Sequence, residues 1–123
     1  MLELLLELKA EGMAMLFVSH DLLAVRRLCD QLLVLYGGEM MTRGATRTLL
    51  SELRHPYLRG LWEALPNLEL SSQPRRWGVE RIRGLEADGC LLLDRCPKGS
   101  DQCKTAPSLD LDERCHHPQM VRP

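Results

Sequence analysis

The sequence has few aromatic side chains and almost no net charge. Phe, Tyr and Trp make up 4% of the 123 residues, and 16 Lys and Arg residues are set against 17 Asp and Glu, for a formal net charge of −1. A chain this close to neutral has no strong field to attract nucleic acid or an anionic membrane. Its 45% of hydrophobic and 27% of charged residues are typical of a globular protein rather than of a disordered or collagen-like one.

Long apolar runs are also missing. No run approaches the roughly 20 residues that a membrane-spanning helix needs. The leucine-rich beginning is interrupted by Glu3, Glu7 and Lys9, and its first charges are acidic, which is not typical of a secretory signal. We therefore expect a cytosolic protein, in which five cysteines are better candidates for metal or cluster ligation than for disulfides.

The first thirty residues have the pattern of a helix, a strand and a second helix. Leucines at helical spacing predict an amphipathic helix over about 2–11 that packs on a sheet. The unbroken apolar run 13–18 predicts a strand buried on both faces, as in a parallel sheet. Asp21 can cap a following helix that extends to Cys29.

The next stretch predicts a hairpin and two more helices. Residues 31–36 and 39–42 are joined by Gly37-Gly38, whose freedom to adopt positive φ angles suits a two-residue turn. Thr46 can cap a short helix through Leu53, and Pro56 suits the first turn of another. The apolar face of that last helix is formed by Leu58, Leu61, Trp62 and Leu65.

Beyond Pro66 the apolar residues follow neither the helix nor the strand period, which indicates a boundary and a linker. From Gly89 to the end there are four cysteines, few large apolar residues and no aromatic one. We expect that a hydrophobic core alone cannot order this segment and that a further interaction must hold it together.

His20 is the first candidate for a binding residue. It follows the predicted strand and precedes a helix, so it belongs at the carboxyl edge of a sheet, where α/β proteins bind ligands. A neutral imidazole there can donate a hydrogen bond to a phosphate oxygen. Taken by itself, however, a lone histidine in such a loop is more often a capping or loop residue.

Two longer strings carry a resemblance to a known family. The order Leu16-Phe17-Val18-Ser19-His20-Asp21-Leu22, then Leu33-Val34-Leu35-Tyr36-Gly37-Gly38-Glu39, resembles the end of the nucleotide-binding domain of ABC transporters, with the switch histidine of the H-loop. Arg54-His55-Pro56-Tyr57-Leu58-Arg59-Gly60-Leu61 and Ala64-Leu65-Pro66 are similar to the HPYT-x-x-L…A-x-P element of the ATP-binding subunits of oligopeptide, dipeptide and nickel importers.

The resemblance implies an α/β fold and a division of the chain into three parts. Residues 1–66 would be the C-terminal part of an ABC nucleotide-binding domain, 67–88 a linker, and 89–123 a loop-rich, cysteine-containing extension. In the intact subunit the position of His20 contacts the γ-phosphate of ATP, and ATP binding and hydrolysis drive transport. The implied partners are a second ATP-binding subunit and the membrane permease subunits, at the cytoplasmic face of the membrane, with no nucleic acid and no direct membrane insertion.

Several motifs of such a subunit are absent from these 123 residues. There is no G-x-x-x-x-G-K-[ST] phosphate loop, no LSGGQ-type signature and no Walker B strand. Without the loop's backbone amides and lysine there is no cradle for the β- and γ-phosphates. We expect that the chain does not hydrolyse ATP by itself and that it corresponds to the last third of a subunit, as a fragment, a split subunit or a decayed remnant.

The cysteines Cys90-x5-Cys96-x6-Cys103-x11-Cys115 are the candidate metal ligands. Four thiolates suit Zn²⁺ or an iron–sulfur cluster, and the lack of a Cys-x2-Cys pair disfavours a zinc ribbon. The resemblance implies a [4Fe–4S] centre; zinc and unligated thiols remain alternatives. A stand-alone cluster- or zinc-binding interaction module is the alternative function.

Three further residues have less specific interpretations. His116 and His117 could replace a missing thiolate, although adjacent histidines are more often only solvated. Cys29 has no cysteine near it in sequence, and we expect it to be a buried small hydrophobe.

Overall fold

A computed structural model describes residues 1–65, 88–110 and 112–118. All of the predicted linker 67–88 except Asp88 lies outside these residues. The elements in chain order are helix α1 (Leu2–Ala10), helix α2 (Leu22–Leu28), strand β1 (Gln31–Tyr36), strand β2 (Glu39–Ala45), helix α3 (Thr46–Glu52), helix α4 (Pro56–Glu63) and a 3₁₀ helix (Asp101–Lys104). The result is a small α/β structure. None of the described helices has the length and apolar character to cross a membrane.

Helix α1 forms as predicted but does not pack on a sheet. None of its residues is buried. Its polar contact is with the end of α2, where Lys9 Nζ donates to the Leu28 carbonyl at 2.8 Å and pairs with Asp30 at 2.6 Å. The prediction of sheet packing was wrong because the sheet of the described residues is a hairpin whose buried side is occupied by other elements.

The strand predicted over 13–18 is not formed. These residues do not form a strand, and Leu16 and Val18 are 94% and 88% exposed. A strand is defined by hydrogen bonds to a neighbour, and the only sheet in the described part of the chain is the two-stranded β1–β2 hairpin. The sheet edge on which His20 was expected is therefore also absent from the described structure.

Helix α2 and the hairpin agree with the sequence. The Asp21 carboxylate accepts hydrogen bonds from the backbone N–H groups of Leu23 and Ala24, which makes it a conventional N-cap. Gly37 and Gly38 have φ angles of 57° and 83°, as a type I′ turn requires. The register shifts between Val34 and Leu35, so that Met41 is an extra residue on β2 and forms a bulge.

Helices α3 and α4 begin close to the predicted positions. Thr46 is the first residue of α3 rather than its cap; the cap position is Ala45, which makes no side-chain hydrogen bond, and the Thr46 hydroxyl is buried without a partner. Pro56 opens α4, and the side chain of His55 accepts a hydrogen bond from the Tyr57 backbone N–H. His55 was not predicted as the cap, because short polar residues predominate at the N-cap position of helices.

Two hydrophobic clusters hold these elements together. The first joins α2, the hairpin, α3 and α4 through Leu22, Val34, Leu50, Leu58 and Trp62. The second consists of Tyr36, Met41, Leu91 and Leu92, with Tyr57, Cys90 and Cys96 packed against it. The cysteine-containing segment thus packs against aromatic residues of the hairpin and α4. The hairpin and α4 therefore contribute apolar contacts to the segment that its own residues do not supply.

Candidate functional site

The four cysteines of the C-terminal segment line one cavity. Cys90, Cys96, Cys103 and Cys115 surround it, and all five cysteines of the chain are free thiols. The rest of the lining includes residues at the start of α4 and at the end of the described chain, among them the N-cap His55, Arg114, His116 and His117. The structure therefore brings together the cysteines that the sequence singled out, although they are up to 25 positions apart.

Tight backbone turns bring the first three cysteines together. The Cys90 backbone N–H donates to the Cys103 carbonyl at 2.8 Å, and the Cys96 N–H donates to the Leu92 carbonyl at 2.8 Å. Gly89 has a φ of 104°, and a Cβ there would lie 2.7 Å from the Lys104 carbonyl oxygen. Only glycine allows the chain to approach the 3₁₀ helix so closely at this point.

Burial disfavours the thiolate form of three of these cysteines. Burial raises the pKa of Cys90 and of Cys96, and it raises the pKa of Cys115 to about 11. Backbone N–H groups oppose this effect: those of Leu92 and Leu93 at Cys90, of Lys98 and Gly99 at Cys96, and of His117 at Cys115. The sulfurs thus already face hydrogen-bond donors that would stabilise thiolates once a cation displaced the protons.

The two adjacent histidines are hydrogen-bonded rather than merely solvated. His116 Nε2 lies 2.8 Å from the Thr105 carbonyl oxygen, to which it donates. His117 Nε2 lies 2.6 Å from the Ser100 hydroxyl, and its backbone N–H donates to Cys115 Sγ at 3.3 Å. Both rings therefore fasten the end of the described chain to the loop around the 3₁₀ helix.

Cys115 reaches the cavity because residues 112–114, which we call the clasp segment, dock on the outer edge of β2. The Arg43 N–H donates to the Asp112 carbonyl at 3.0 Å, and the Arg114 N–H donates to the Met41 carbonyl at 2.7 Å. Thr42 and Glu113 form an isolated antiparallel bridge. This docking could not be predicted from the sequence, since three residues are too few for a strand pattern.

The cavity is not a preformed site for a single ion. Among residues 1–65, 88–110 and 112–118, no three His, Cys, Asp or Glu side chains form a group that could hold a metal ion. The donor set has the chemistry of a soft-metal or cluster site. Binding would require the four side chains to rearrange around the group.

The other two candidates lie outside this cavity. His20 is exposed and immediately precedes the N-cap Asp21 of α2. Cys29 is the C-cap of α2 and is only partly buried, so the expectation of a buried small hydrophobe was wrong; burial still raises its pKa. Neither residue lines the cysteine cavity.

Comparison with known proteins identifies relatives of the chain. The probable D,D-dipeptide transport ATP-binding protein of Escherichia coli is 35% identical over 113 residues, which is 87% of this chain and 34% of that protein. The dipeptide transport ATP-binding protein of the same organism is 34% identical over 129 aligned positions, covering 95% of this chain and 38% of that protein. A putative peptide import ATP-binding protein of Brucella ovis is 35% identical over 100 residues, covering 76% of this chain and 31% of that protein.

The chain thus spans about a third of the length of the curated relatives that it matches. A family described as the C-terminal region of oligopeptide/dipeptide transporters matches residues 42–103, which is half of the chain. The matched range begins on β2, includes the His55-Pro56-Tyr57 element and ends at Cys103. The resemblance drawn from the sequence is confirmed: the chain belongs to the oligopeptide/dipeptide transporter C-terminal region family.

Proposed function

We propose that this chain is the C-terminal portion of the ATP-binding subunit of an ABC importer for peptides or nickel. In the intact subunit, ATP binding and hydrolysis would be coupled to transport across the membrane. The observation that carries the proposal is the family match over residues 42–103. The names of the relatives mention dipeptides and peptides, which favours a peptide over nickel as the cargo.

His20 is proposed to contact the γ-phosphate of ATP in the intact subunit. A histidine donor aimed at the transferring phosphoryl group acts by positioning and electrostatics. Two features are compatible with this role: the imidazole is exposed, and Asp21 rather than His20 caps α2, which leaves the ring free of a capping role.

A complementation experiment tests this role. The chain is co-expressed with a polypeptide that supplies the phosphate loop, signature and Walker B motifs of a relative, and ATPase activity of the purified complex is measured. His20→Ala should reduce the turnover by about a hundredfold or more, whereas the matched control His116→Ala should leave it within about twofold. A complex that hydrolyses ATP equally well with and without His20 would contradict the assignment.

The partners and the location follow from the same proposal. The chain would pair with a second ATP-binding subunit and act on membrane permease subunits from the cytoplasmic face of the membrane. Nothing in its composition favours nucleic acid, because the formal net charge is −1.

Cys90, Cys96, Cys103 and Cys115 are proposed to hold a [4Fe–4S] cluster, with zinc as the alternative. The shared cavity and the amide donors facing three of the sulfurs support this assignment. A cluster has a larger perimeter than one ion and demands less convergence of its ligands, which suits thiols that do not converge on one point. When bound, it would supply a crosslink between the surrounding loops and a one-electron redox couple.

The cysteine site is tested by anaerobic purification with iron, sulfide and zinc analysis. We expect about four irons and four sulfides per chain, with broad visible absorption that Cys96→Ser removes. The matched control is Cys29→Ser, since Cys29 lies outside the cavity. One zinc per chain, lost in the Cys96 variant alone, would establish the zinc alternative; a metal-free parent would exclude both.

A stand-alone cluster- or zinc-binding interaction module, without ATPase activity, is the second candidate function. It is favoured by the close packing of the cysteine segment against the hairpin in the second hydrophobic cluster, which joins the two into one unit. The two functions separate in the complementation experiment, because a module would bind metal normally and restore no ATPase activity.

A further inference from the structure

We propose that His55 is a positioning residue that holds Cys115 at the cysteine cavity. The inference rests on the proposed function of that cavity as a metal or cluster site. It assigns His55 a task beyond capping α4, and the task depends on the second nitrogen of the imidazole ring.

The hydrogen bonds of His55 determine its tautomer. The Tyr57 backbone N–H donates to Nδ1 at 3.2 Å, so Nδ1 carries no proton. The other nitrogen, Nε2, then carries the proton and donates to the Arg114 carbonyl oxygen at 3.1 Å. The side chain is 1% exposed, and water therefore cannot replace either bond.

The acceptor of that second bond belongs to the residue immediately before Cys115. The Arg114 backbone is thus held at both ends, because its N–H donates to the Met41 carbonyl and its own carbonyl accepts from His55. The Arg114 side chain adds a hydrogen bond to the Met40 carbonyl at 3.1 Å. Because both its N–H and its carbonyl are held, Arg114 determines the position of the Cys115 backbone at the cavity.

A helix cap alone does not need an imidazole. Asn or Asp would satisfy the Tyr57 N–H with a shorter side chain. Histidine adds a second hydrogen-bonding atom, Nε2, on the opposite side of the ring. This atom donates to the Arg114 carbonyl and so connects the start of α4 to the clasp segment. His55 itself also lines the cavity beside Cys115, so the link lies directly at the site.

Two variants separate the two nitrogens. His55→Asn keeps an acceptor for the Tyr57 N–H and removes the donor to Arg114, whereas His55→Gln keeps a donor that can reach Arg114. The rate of alkylation of each cysteine by iodoacetamide is measured by mass spectrometry on the metal-free full chain. Iron and zinc content is measured on the same variants as purified anaerobically, and circular dichroism checks that they are folded.

We expect His55→Asn to speed the alkylation of Cys115 by about tenfold, because release from the buried site exposes the thiol to the reagent. Cys90 and Cys103 in the same molecules should stay within about twofold of the parent, and His55→Gln should keep Cys115 close to the parent rate.

Three results would contradict the role proposed for His55. An unchanged Cys115 rate in His55→Asn, an equal acceleration in His55→Gln, or a uniform acceleration of all five cysteines would each overturn the inference, the last by showing that His55 only supports the fold. A parent chain without iron or zinc would instead overturn the proposed cysteine site, while the alkylation ratio would still decide whether His55 positions Cys115.

Discussion

Individual buried ionisable groups make the stability of this chain depend on pH. Burial lowers the pKa of His55, and the hydrogen bond to Arg114 acts in the opposite direction. The unfolded chain binds a proton at His55 near its usual pKa of about 6.5, which the folded chain resists. The contribution of His55 to stability is therefore complete above that pH and is lost as the pH falls through and below it.

Urea unfolding at pH 7.5 and at successively lower pH values tests this effect. The free energy of unfolding of the parent should fall with acidification more steeply than that of His55→Asn, which has no group titrating at that position. His20→Asn is the matched control, because it makes the same substitution at a histidine whose side chain is exposed. Parallel slopes in the parent and His55→Asn would contradict the prediction.

Glu113 is a second buried ionisable group, and its effect on stability changes with pH in the opposite direction to that of His55. Its side chain is 9% exposed, Oε1 has no hydrogen-bond partner, and Arg54 Nε lies 3.5 Å from Oε2. Burial raises the pKa of Glu113, with Arg54 acting against that effect. The unfavourable contribution of the carboxylate is absent at low pH and develops as the pH rises through the unfolded pKa, because the folded chain then has to hold a poorly compensated charge.

Replacing Glu113 by Gln should therefore stabilise the chain at pH 7.5, by about 1 kcal/mol in the free energy of unfolding. The neighbouring Asp112→Asn is the control: its ion pair with Arg43 is half exposed on both sides, so its loss should change the free energy by less than about 0.5 kcal/mol. A Glu113→Gln variant that is less stable than the parent at pH 7.5 would mean that the Arg54 pair outweighs the desolvation of the carboxylate.

At the scale of elements, sequence patterns predicted those that are fixed by local chemistry. The Asp21 cap, the Gly37-Gly38 turn and Pro56 at the start of α4 each depend on a residue and its immediate neighbours. The strand predicted over 13–18 was wrong because a strand needs a neighbouring strand to pair with, and the apolar pattern does not indicate whether one is present.

The candidate site divides in the same way. Spacing and residue type selected the four cysteines, and they share a cavity. His55 and the clasp segment could not be found from sequence, because their contacts join residues about 60 and 70 positions apart through backbone atoms. Every residue has a backbone carbonyl whatever its side chain, so the sequence does not indicate which carbonyl will accept such a bond.

The turn that leads into Cys90 provides a test at this scale. Gly89→Ala would place its Cβ 2.7 Å from the Lys104 carbonyl oxygen and would also force alanine into a positive φ. We expect a loss of about 2–4 kcal/mol in the free energy of unfolding. Gly38→Ala is the matched control, since its φ is also positive but nothing lies within 4 Å of the added Cβ.

The control should lose only about 1 kcal/mol, which is the cost of the backbone conformation without the clash. Thermal or urea unfolding of the two variants side by side measures the difference. Equal losses in both would show that the backbone around the 3₁₀ helix moves aside, and that Gly89 is not required for its close approach to residues 103 and 104.

For the whole molecule, the distribution of exposed apolar side chains predicts self-association of the isolated chain. Leu16 and Val18 are almost fully exposed, and Leu33 and Leu35 on the outer face of β1 are 51% and 58% exposed. Unpaired apolar segments of this kind are association sites. We expect the purified chain to form oligomers at micromolar concentration.

Sedimentation velocity and thermal unfolding of two variants of equal charge test the cause. Leu16→Lys with Val18→Lys should shift the population towards monomer, because it removes apolar surface. Thr48→Lys with Ser51→Lys adds the same two charges at exposed polar positions and should leave the association of the parent unchanged. If both double variants dissociate the oligomers equally, then charge repulsion and not apolar surface controls association. A parent that is monomeric, with a sharp thermal transition, would show that residues 13–18 need no partner for the rest of the chain to fold.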